Sequence, residues 1–350
     1  MQEVTQKVQD IVEIINGELI NSPAIGGFSG YCTKLENIKR GSLFFAAHPR
    51  DIEPALEKGA FGIVFDKFLQ TRLNDDEIAW VKVESIQDAI IRLARFELLA
   101  RSIRVIATNP TQYLIAKSLI HSKSVLFFDE SPIDLLDVVE EVRPAIIIAK
   151  SQQVLDLALE PIPCETPEQL PFELITPMSM FEIKFYYKLY SYKISLPCVF
   201  VPELGAVVDL CLREHIECDF AHFEPSSTLL PISLTNDARI LSFGQSSRVI
   251  IPTNDEEIFM RYGEFLSKEA KWAKVVVFVP TILDDEQRFY ALYNQRNNHP
   301  LQAIRYDSSN ELPLLLKTTE YNFGLIFGIS TQGLVFVLSQ TPQEYAPTLF

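Results

Sequence analysis

The sequence predicts an α/β protein built from three domains. Short apolar segments of strand length, such as GSLFFAA, GIVFD and PAIIIA, are separated by amphipathic segments with the helical period. Strands that alternate with helices are typical of layered α/β structures, in which helices cover a sheet. A chain of 350 residues is long enough for two or three domains that each bury a core.

The first predicted domain spans residues 1–103. It begins with a helix over 5–16 that ends in a turn at Gly17. Short apolar strands are predicted at 17–20, 41–47, 62–66 and 80–84. Helices are predicted among and after these strands, at 52–60 and 86–102.

The second predicted domain spans residues 104–254. Strand and helix alternate three times in its first half, with strands at 104–107, 124–128 and 144–149 and helices at 111–120, 133–142 and 151–159. A proline-rich connector at 160–177 comes next. An antiparallel strand pair follows, at 181–189 and 192–197, and then a helix at 202–215. Two more strands, at 238–243 and 247–252, complete the domain.

The third predicted domain spans residues 255–350. It opens with a helix at 256–271 and a strand at 274–280. It closes with two apolar segments, at 321–329 and 333–340. We find no internal repeat and no low-complexity tract in the sequence.

Composition and charge exclude several classes of function. The formal net charge of −15 argues against a nucleic-acid groove, which needs clustered Lys and Arg. The longest apolar stretches have strand length, so no membrane span is predicted. The acidic, amphipathic N-terminus resembles neither a signal nor a transit peptide, and we expect a cytoplasmic protein. Five widely spread cysteines predict reduced thiols rather than a disulfide framework.

Residues 104–120, RVIATNPTQYLIAKSLI, have the strand–loop–helix layout of a phosphate-binding site without its chemistry. In such a loop, glycines let backbone N–H groups close on the phosphates, a lysine neutralises charge, and a Ser or Thr holds Mg²⁺. The turn at 108–112, TNPTQ, has no glycine and no Lys-Ser/Thr pair, and Pro110 removes a donor. ATP and Mg²⁺ are therefore not predicted cofactors. The alternative interpretation is a strand–helix unit that never bound a nucleotide.

Two segments of the first domain carry a resemblance to a known family. Residues 33–46, TKLENIKRGSLFFA, and 55–64, ALEKGAFGIV, follow the patterns T-D-S-R-x-V-x-P-G-D-L-F-x-A and A-x-x-x-G-A. These patterns belong to the Mur ligases, the ATP-dependent enzymes that add amino acids or D-Ala-D-Ala to UDP-MurNAc peptides. The branch that adds D-Ala-D-Ala to the UDP-N-acetylmuramoyl-tripeptide is the most similar. The resemblance implies that Thr33, Lys34 and Glu36 are remnants of a UDP-sugar site, where Glu36 replaces an arginine and reverses the charge offered to a diphosphate.

The second domain resembles the central ATPase domain of the same family. The family loop T-G-[ST]-N-G-K-T-T falls on 107–114, so Thr108, Asn109, Thr111 and Gln112 would be remnants of a nucleotide site. No catalytic residue is assigned, and the candidate remnants of catalysis are Asp129, Glu130 and Lys150, near the family's Mg²⁺-binding Glu and its Thr-Asn motif. The resemblance thus implies a Mur-ligase-like architecture with a reduced central P-loop-type domain and a Rossmann-like C-terminal domain.

One cluster has metal-ligating residue types at plausible spacing. The cluster consists of Cys211, His215, Cys218 and His222. The first three would lie at i, i+4 and i+7 on one helix face. Tetrahedral Zn²⁺ is the metal that such a set of ligands suits. The pattern fits no common zinc-finger class, and Cys211 lies in an apolar stripe. We therefore predict no metal and keep the four residues as an alternative.

The sequence predicts a catalytically inactive Mur-ligase-like protein, a pseudoenzyme that acts as a scaffold, regulator or ligand-binding module linked to peptidoglycan precursor synthesis. Its expected partners are proteins, among them cell-wall synthesis enzymes, and a UDP-sugar is the expected small ligand. The tyrosine-rich run at 185–192 predicts a half-exposed hairpin, with a partner-binding patch as its alternative. Two other functions remain open: an active ATP-dependent UDP-MurNAc-peptide ligase with rewired residues, and a structural subunit of a larger assembly.

Overall fold

The computed structural model describes residues 6–66, 76–176, 179–281 and 302–340. The chain divides into two compact units, which are treated separately. The N-terminal unit consists of Met1–Thr166 and Ala206–Asp219, and the C-terminal unit consists of Pro167–Gly205 and Phe220–Phe350. No helix in the described part of the chain is long and apolar enough to cross a membrane.

The first sheet of the N-terminal unit has five strands and a mixed topology. The strands of residues 6–82 are β1 (Gln6–Lys7), β2 (Glu18–Leu19), β3 (Gly27–Phe28), β4 (Gly30–Cys32), β5 (Ser42–Phe45), β6 (Gly62–Phe65) and β7 (Ala79–Lys82). The five-stranded sheet has the order β2-β7-β6-β5-β4, in which only β2 is antiparallel to its neighbour. The remaining two strands, β1 and β3, form a separate antiparallel pair.

Three helices accompany this sheet, α1 (Val8–Ile14), α2 (Ile52–Glu57) and α3 (Ile86–Ala100). Ser85 starts α3, because its side chain accepts a hydrogen bond from the backbone N–H of Asp88. One face of the helix buries apolar side chains that include Leu93, which has no exposed surface. These side chains join residues of α1 and of the sheet in one core.

The second sheet of the N-terminal unit is entirely parallel. It contains β8 (Arg104–Ala107), β9 (Val125–Phe127), β10 (Ile146–Ala149) and β11 (Ile162–Pro163), in the order β11-β8-β10-β9. Its helices are α4 (Pro110–Leu119), α5 (Leu135–Val142) and α6 (Gln152–Leu155). The carboxyl ends of parallel strands meet at one edge, so the residues that follow these strands lie together there.

The C-terminal unit contains a three-stranded and a six-stranded sheet. The first is an antiparallel sheet of β12 (Glu173–Leu174), β13 (Ile183–Tyr187) and β14 (Tyr190–Ile194), in that order. Helix α7 (Val201–Arg213) follows and is shared between the two units. The larger sheet has the order β16-β15-β17-β20-β18-β19.

The six-stranded sheet is parallel over four of its strands. Its strands are β15 (Ile232–Leu234), β16 (Ile240–Leu241), β17 (Val249–Thr253), β18 (Val275–Pro280), β19 (Gln302–Tyr306) and β20 (Phe323–Phe327). Strands β17, β20, β18 and β19 run parallel, and β15 and β16 are antiparallel additions. The helices are α8 (Glu256–Glu269), α9 (Leu312–Thr318) and α10 (Thr331–Gln340).

Several elements differ from the predicted ones. The helix predicted over 5–16 begins at Val8, because Gln6 and Lys7 pair with β3. The connector predicted at 160–177 contributes the short edge strands β11 and β12. The segment 333–340 belongs to a helix.

Strands β15 to β17 join the same sheet as β18 to β20, although the sequence analysis assigned residues 232–253 to the second domain. Tertiary pairing of this kind is not visible in local sequence periodicity. The division into three domains at 103 and 254 itself stays a prediction.

Candidate functional site

The candidate site lies at the carboxyl edge of the parallel sheet of the N-terminal unit. Thr108, Asp129, Lys150 and Cys164 follow β8, β9, β10 and β11 within two residues of each strand end. Ligands of open parallel sheets bind at this edge. The edge therefore brings together Thr108, a predicted remnant of the nucleotide site, with Asp129 and Lys150, the predicted remnants of catalysis.

The turn between β8 and α4 is closed by its own side chains. Asn109 Oδ1 accepts from the backbone N–H of Gln112 at 2.8 Å, and Gln112 Oε1 accepts from the backbone N–H of Asn109 at 3.0 Å. This reciprocal pair is a capping box. Pro110 occupies the first helical position, where its fixed φ suits the helix and its missing N–H costs nothing.

The other side chains of the turn also point into the protein. The Thr108 hydroxyl donates to the carbonyl of Ala149 at 3.1 Å. The Gln112 amide donates to the carbonyl of Cys164 at 2.8 Å, which ties α4 to the residue after β11. Thr108, Thr111 and Gln112 are all buried. The helix start therefore uses its polar groups for internal bonds.

Asp129 and Lys150 form an ion pair beside an aromatic ring. Lys150 Nζ lies 2.9 Å from Asp129 Oδ2 and 5.2 Å from the centroid of the Tyr113 ring. Tyr113 packs edge-on against Phe127, with 5.6 Å between ring centroids. Burial raises the pKa of Tyr113, and the charges of Asp129 and Glu130 raise it further. The cluster holds both signs of charge next to a neutral phenol.

The three predicted remnants of a UDP-sugar site have different environments. The backbone N–H and the hydroxyl of Thr33 donate to the two carboxylate oxygens of Asp137, at 2.8 and 2.7 Å. Lys34 Nζ lies 2.8 Å from Asp134 Oδ1, and this hydrogen bond and charge raise the pKa of Lys34. Glu36 is exposed in a single 3₁₀ turn, Leu35–Asn37. Thr33 and Lys34 thus connect the first sheet to the start of α5.

The structure does not form the alternative metal set of Cys211, His215, Cys218 and His222. The helix carrying Cys211 ends at Arg213, and His215 adopts left-handed backbone geometry with φ of 55°, so Cys218 does not lie on the same helix. The prediction of a shared helix face is therefore wrong. Among the residues that the structure describes, no group of three or more His, Cys, Asp or Glu side chains is arranged to hold a metal ion. Cys211 and Cys218 are nevertheless neighbours, and their thiols are hydrogen-bonded.

Two features of the N-terminal unit escaped the sequence analysis. The first is Tyr113, which lacks any sequence signal beyond its place in the first turns of α4. The second is a buried network in which Arg101 pairs with Glu97 at 2.6 Å and with Glu140, while Gln6 donates to Glu97 at 2.9 Å. The i,i+4 spacing of Glu97 and Arg101 was the available signal for part of it.

Comparison with known proteins identifies the fold. No family model and no curated protein matches the sequence. Solved structures do match, among them two from Acinetobacter baumannii, each with 12% sequence identity. One is the UDP-N-acetylmuramoylalanyl-D-glutamyl-2,6-diaminopimelate–D-alanyl-D-alanyl ligase, with a TM-score of 0.52 over 97% of this chain and 98% of that chain. The other is a crystal structure of MurF, with a TM-score of 0.55 over 97% of this chain and 99% of that one.

MurF from Thermotoga maritima in complex with ADP is also similar, with 12% identity and a TM-score of 0.50 over 89% of this chain and 96% of that chain. The chain therefore has a Mur-ligase-like α/β fold, as the sequence resemblance implied. Identity at this level shows the fold alone, and function has to be argued from the site.

Proposed function

We propose that this chain is a Mur-ligase-like protein without ligase activity, which acts as a scaffold, regulator or ligand-binding module in peptidoglycan precursor synthesis. The observation that carries the proposal is the capping box between Asn109 and Gln112. In a phosphate-binding loop the backbone N–H groups at the helix start face the ligand. Here side chains of the same turn occupy two of them.

Charge supports the same conclusion. A triphosphate needs positive charge and backbone donors at the loop, because its own charge is otherwise uncompensated in a site of low dielectric constant. Lys150 follows β10 at this edge of the sheet, and Asp129 already neutralises its charge. The turn contributes no Lys or Arg of its own. ATP and Mg²⁺ are accordingly not part of the proposed function.

The link to cell-wall synthesis rests on the fold and on what the similar structures are named for. The neighbours are ligases of the UDP-N-acetylmuramoyl pathway, and a retained architecture is compatible with a retained ligand or protein partner. A cell-wall synthesis enzyme or a UDP-sugar is the corresponding partner or ligand. A cytoplasmic location is proposed with them.

The hairpin of β13 and β14 offers a surface for a protein partner. Leu189 and Tyr190 at its tip are 93% and 68% exposed, and Tyr186 is 51% exposed. Residues 183–194 contain three lysines and no acidic residue, in a chain of net charge −15. Glu182 pairs with Lys193 at 2.7 Å, so Lys184 and Lys188 carry the positive charge of the hairpin. Exposed aromatic side chains beside positive charge favour an acidic protein surface as the partner.

ATP binding and turnover test the proposal directly. We expect isothermal titration of the full chain with ATP and Mg²⁺ to show no saturable heat, and we expect no ADP release when UDP-MurNAc-tripeptide and D-Ala-D-Ala are added. MurF from Acinetobacter baumannii under the same conditions is the positive control. Saturable binding with turnover would overturn the proposal. Stabilisation in a thermal shift by a UDP-sugar alone would identify a precursor-binding module.

The hairpin has its own test. Leu189→Asp should abolish recovery of a stoichiometric partner by the tagged chain, whereas Leu159→Asp, at a position that is 85% exposed in the other unit, should not. Equal recovery by both variants would remove the hairpin from the proposal.

An active ligase with rewired residues is the second candidate, because Asp129 and Lys150 do meet at the carboxyl edge of a parallel sheet. In that case, the chain would turn over ATP with the same substrates. Lys150→Met and Asp129→Asn would then each reduce kcat, and Lys123→Met, at an exposed position before the start of β9, would not.

A further inference from the structure

Three of the five cysteines gather near the end of α7 in the N-terminal unit. The Cys211 and Cys218 thiols are hydrogen-bonded to each other, and Cys164 lies near Cys211. All five cysteines of the chain are free thiols. Cys211 and Cys164 are buried, with 1% and 6% exposure, whereas Cys218 is partly exposed. One thiol of the adjacent pair is thus reachable from solvent.

The backbone explains why Cys218 returns to Cys211. His215, in the left-handed region, reverses the chain, and the backbone N–H of Ile216 donates to the carbonyl of Cys211 at 2.8 Å. This is the bond pattern of a helix that ends in a Schellman motif. The backbone N–H of Asp219 then donates to the carbonyl of Leu119 at 2.9 Å. Bonds on both sides of Cys218 hold it in place.

We propose that Cys211 and Cys218 form a reversible disulfide and that Cys218 is the entry point for a small-molecule disulfide oxidant. The Cys211–Cys218 pair contains none of the side chains on which the proposed function rests, although Cys164 at the carboxyl edge of the sheet lies near Cys211. The modification is independent of the proposed function.

The two thiols differ in their readiness to react. The hydrogen bond to Cys218 and burial both raise the pKa of Cys211, so this thiol is protonated and shielded. Cys218 therefore reacts first, because it is the thiol of the pair that a small oxidant can reach from solvent.

The reaction balances in two exchange steps. The Cys218 thiolate attacks one sulfur of the oxidant, and one half of the oxidant leaves as a thiolate. Cys211 then gives its proton to that thiolate and attacks the Cys218 sulfur. The second half of the oxidant leaves as a thiolate and takes up the proton that Cys218 had released to water. Two protein thiols are oxidised to one disulfide, and the oxidant is reduced to two thiols.

The disulfide would restrain a segment that contacts both β8 and α4. Glu214 pairs with Arg104 at the start of β8, and Asp219 bonds to Leu119 at the end of α4. A disulfide between Cys211 and Cys218 reduces the number of conformations open to the unfolded chain and restrains this segment in the folded protein. Oxidation should therefore slow amide hydrogen exchange over 214–219 and raise the denaturant midpoint.

The test uses the purified full chain and glutathione disulfide as the oxidant. Free thiols should fall from five to three, the mass should fall by about 2 Da, and a non-reducing peptide map should show a Cys211–Cys218 link. Dithiothreitol should restore five thiols. Cys32→Ser and Cys198→Ser are matched controls that should leave the reaction unchanged, because both are buried at other places in the fold.

Two further variants separate the steps. Cys218→Ser should leave four unreacted thiols, and Cys211→Ser should stop at a glutathione adduct on Cys218. Five unreacted thiols in the folded parent chain would overturn the proposal, and so would a disulfide that includes Cys164 or a stable glutathione adduct. The non-reducing peptide map of the parent chain tests the proposal even if a variant fails to fold.

Discussion

Thr33 satisfies both carboxylate oxygens of Asp137, one through its backbone N–H and the other through its hydroxyl. Asp137 is 7% exposed and lies on α5, more than a hundred residues further along the chain. The resemblance assigned Thr33 to a sugar-binding site. In the structure the residue ties the first sheet of the N-terminal unit to the helix that follows β9.

Removing the Thr33 hydroxyl should destabilise the N-terminal unit. Thr33→Val keeps the shape of the side chain but leaves one oxygen of a buried carboxylate without its donor, which costs about 1–3 kcal/mol. Thr33→Ser retains the donor and should stay close to the parent. Urea unfolding followed by circular dichroism measures both. Equal midpoints for the Val variant and the parent would show that water replaces the hydroxyl.

The buried network around Arg101 should make stability depend on pH. Burial, as the largest effect, raises the pKa of Glu140 above its usual value near 4.5, and Arg101 opposes the increase. The folded state therefore holds the Glu140 proton more tightly than the unfolded state does. By linkage, this group's contribution to stability is complete below about pH 4.5 and is lost as the pH rises through the raised pKa.

Glu140→Gln should remove that decline in stability above about pH 4.5. The matched control is Glu141→Gln, since Glu141 is the exposed neighbour on the same helix and should keep the parent's pH dependence. Free energies of unfolding from urea titrations between about pH 4 and 8 give the slopes. The assignment fails if the slope of the Glu140→Gln variant coincides with that of the parent.

The capping box should stabilise α4 by a measurable amount. Asn109→Ala removes the acceptor of the Gln112 N–H and should lower the free energy of unfolding by about 1 kcal/mol. Asn109→Asp retains an acceptor and should lower the free energy of unfolding by less. The urea midpoints of the two variants and of the parent chain measure the difference. An Ala variant as stable as the parent would mean that the turn is held by Thr108 and Gln112 without the cap.

The fold could be predicted in outline because alternating apolar segments report local structure. The strands at 104–107 and 144–149 and the helix after Ser85 follow from period and cap residues. Residues 232–253 were assigned to the second domain, and local patterns did not show that they share a sheet with β18 to β20, because strand pairing depends on contacts distant in sequence. The two-residue strands β1 and β11 have no periodicity to detect.

The site could be predicted only as a location. Asp129 and Lys150 were named from the family resemblance, and the structure places both just after strand ends of the parallel sheet, where they form an ion pair. The spacing Asn109-x-x-Gln112 is itself a capping signature, and it was overlooked in favour of the lysine position of a phosphate loop. Asp137 could not be anticipated as the partner of Thr33, because no local pattern links two residues so far apart.

His215 provides the last prediction, because its left-handed backbone makes it a helix terminator rather than part of a metal set. A residue with a Cβ pays roughly 1–2 kcal/mol in this region, and glycine avoids the penalty. His215→Gly should therefore raise the free energy of unfolding by about 1 kcal/mol. His215→Ala keeps the penalty and should give no such gain. Urea unfolding with and without added Zn²⁺ measures both variants. A zinc ligand would behave in the opposite way: both substitutions would lower stability, and only in the presence of Zn²⁺.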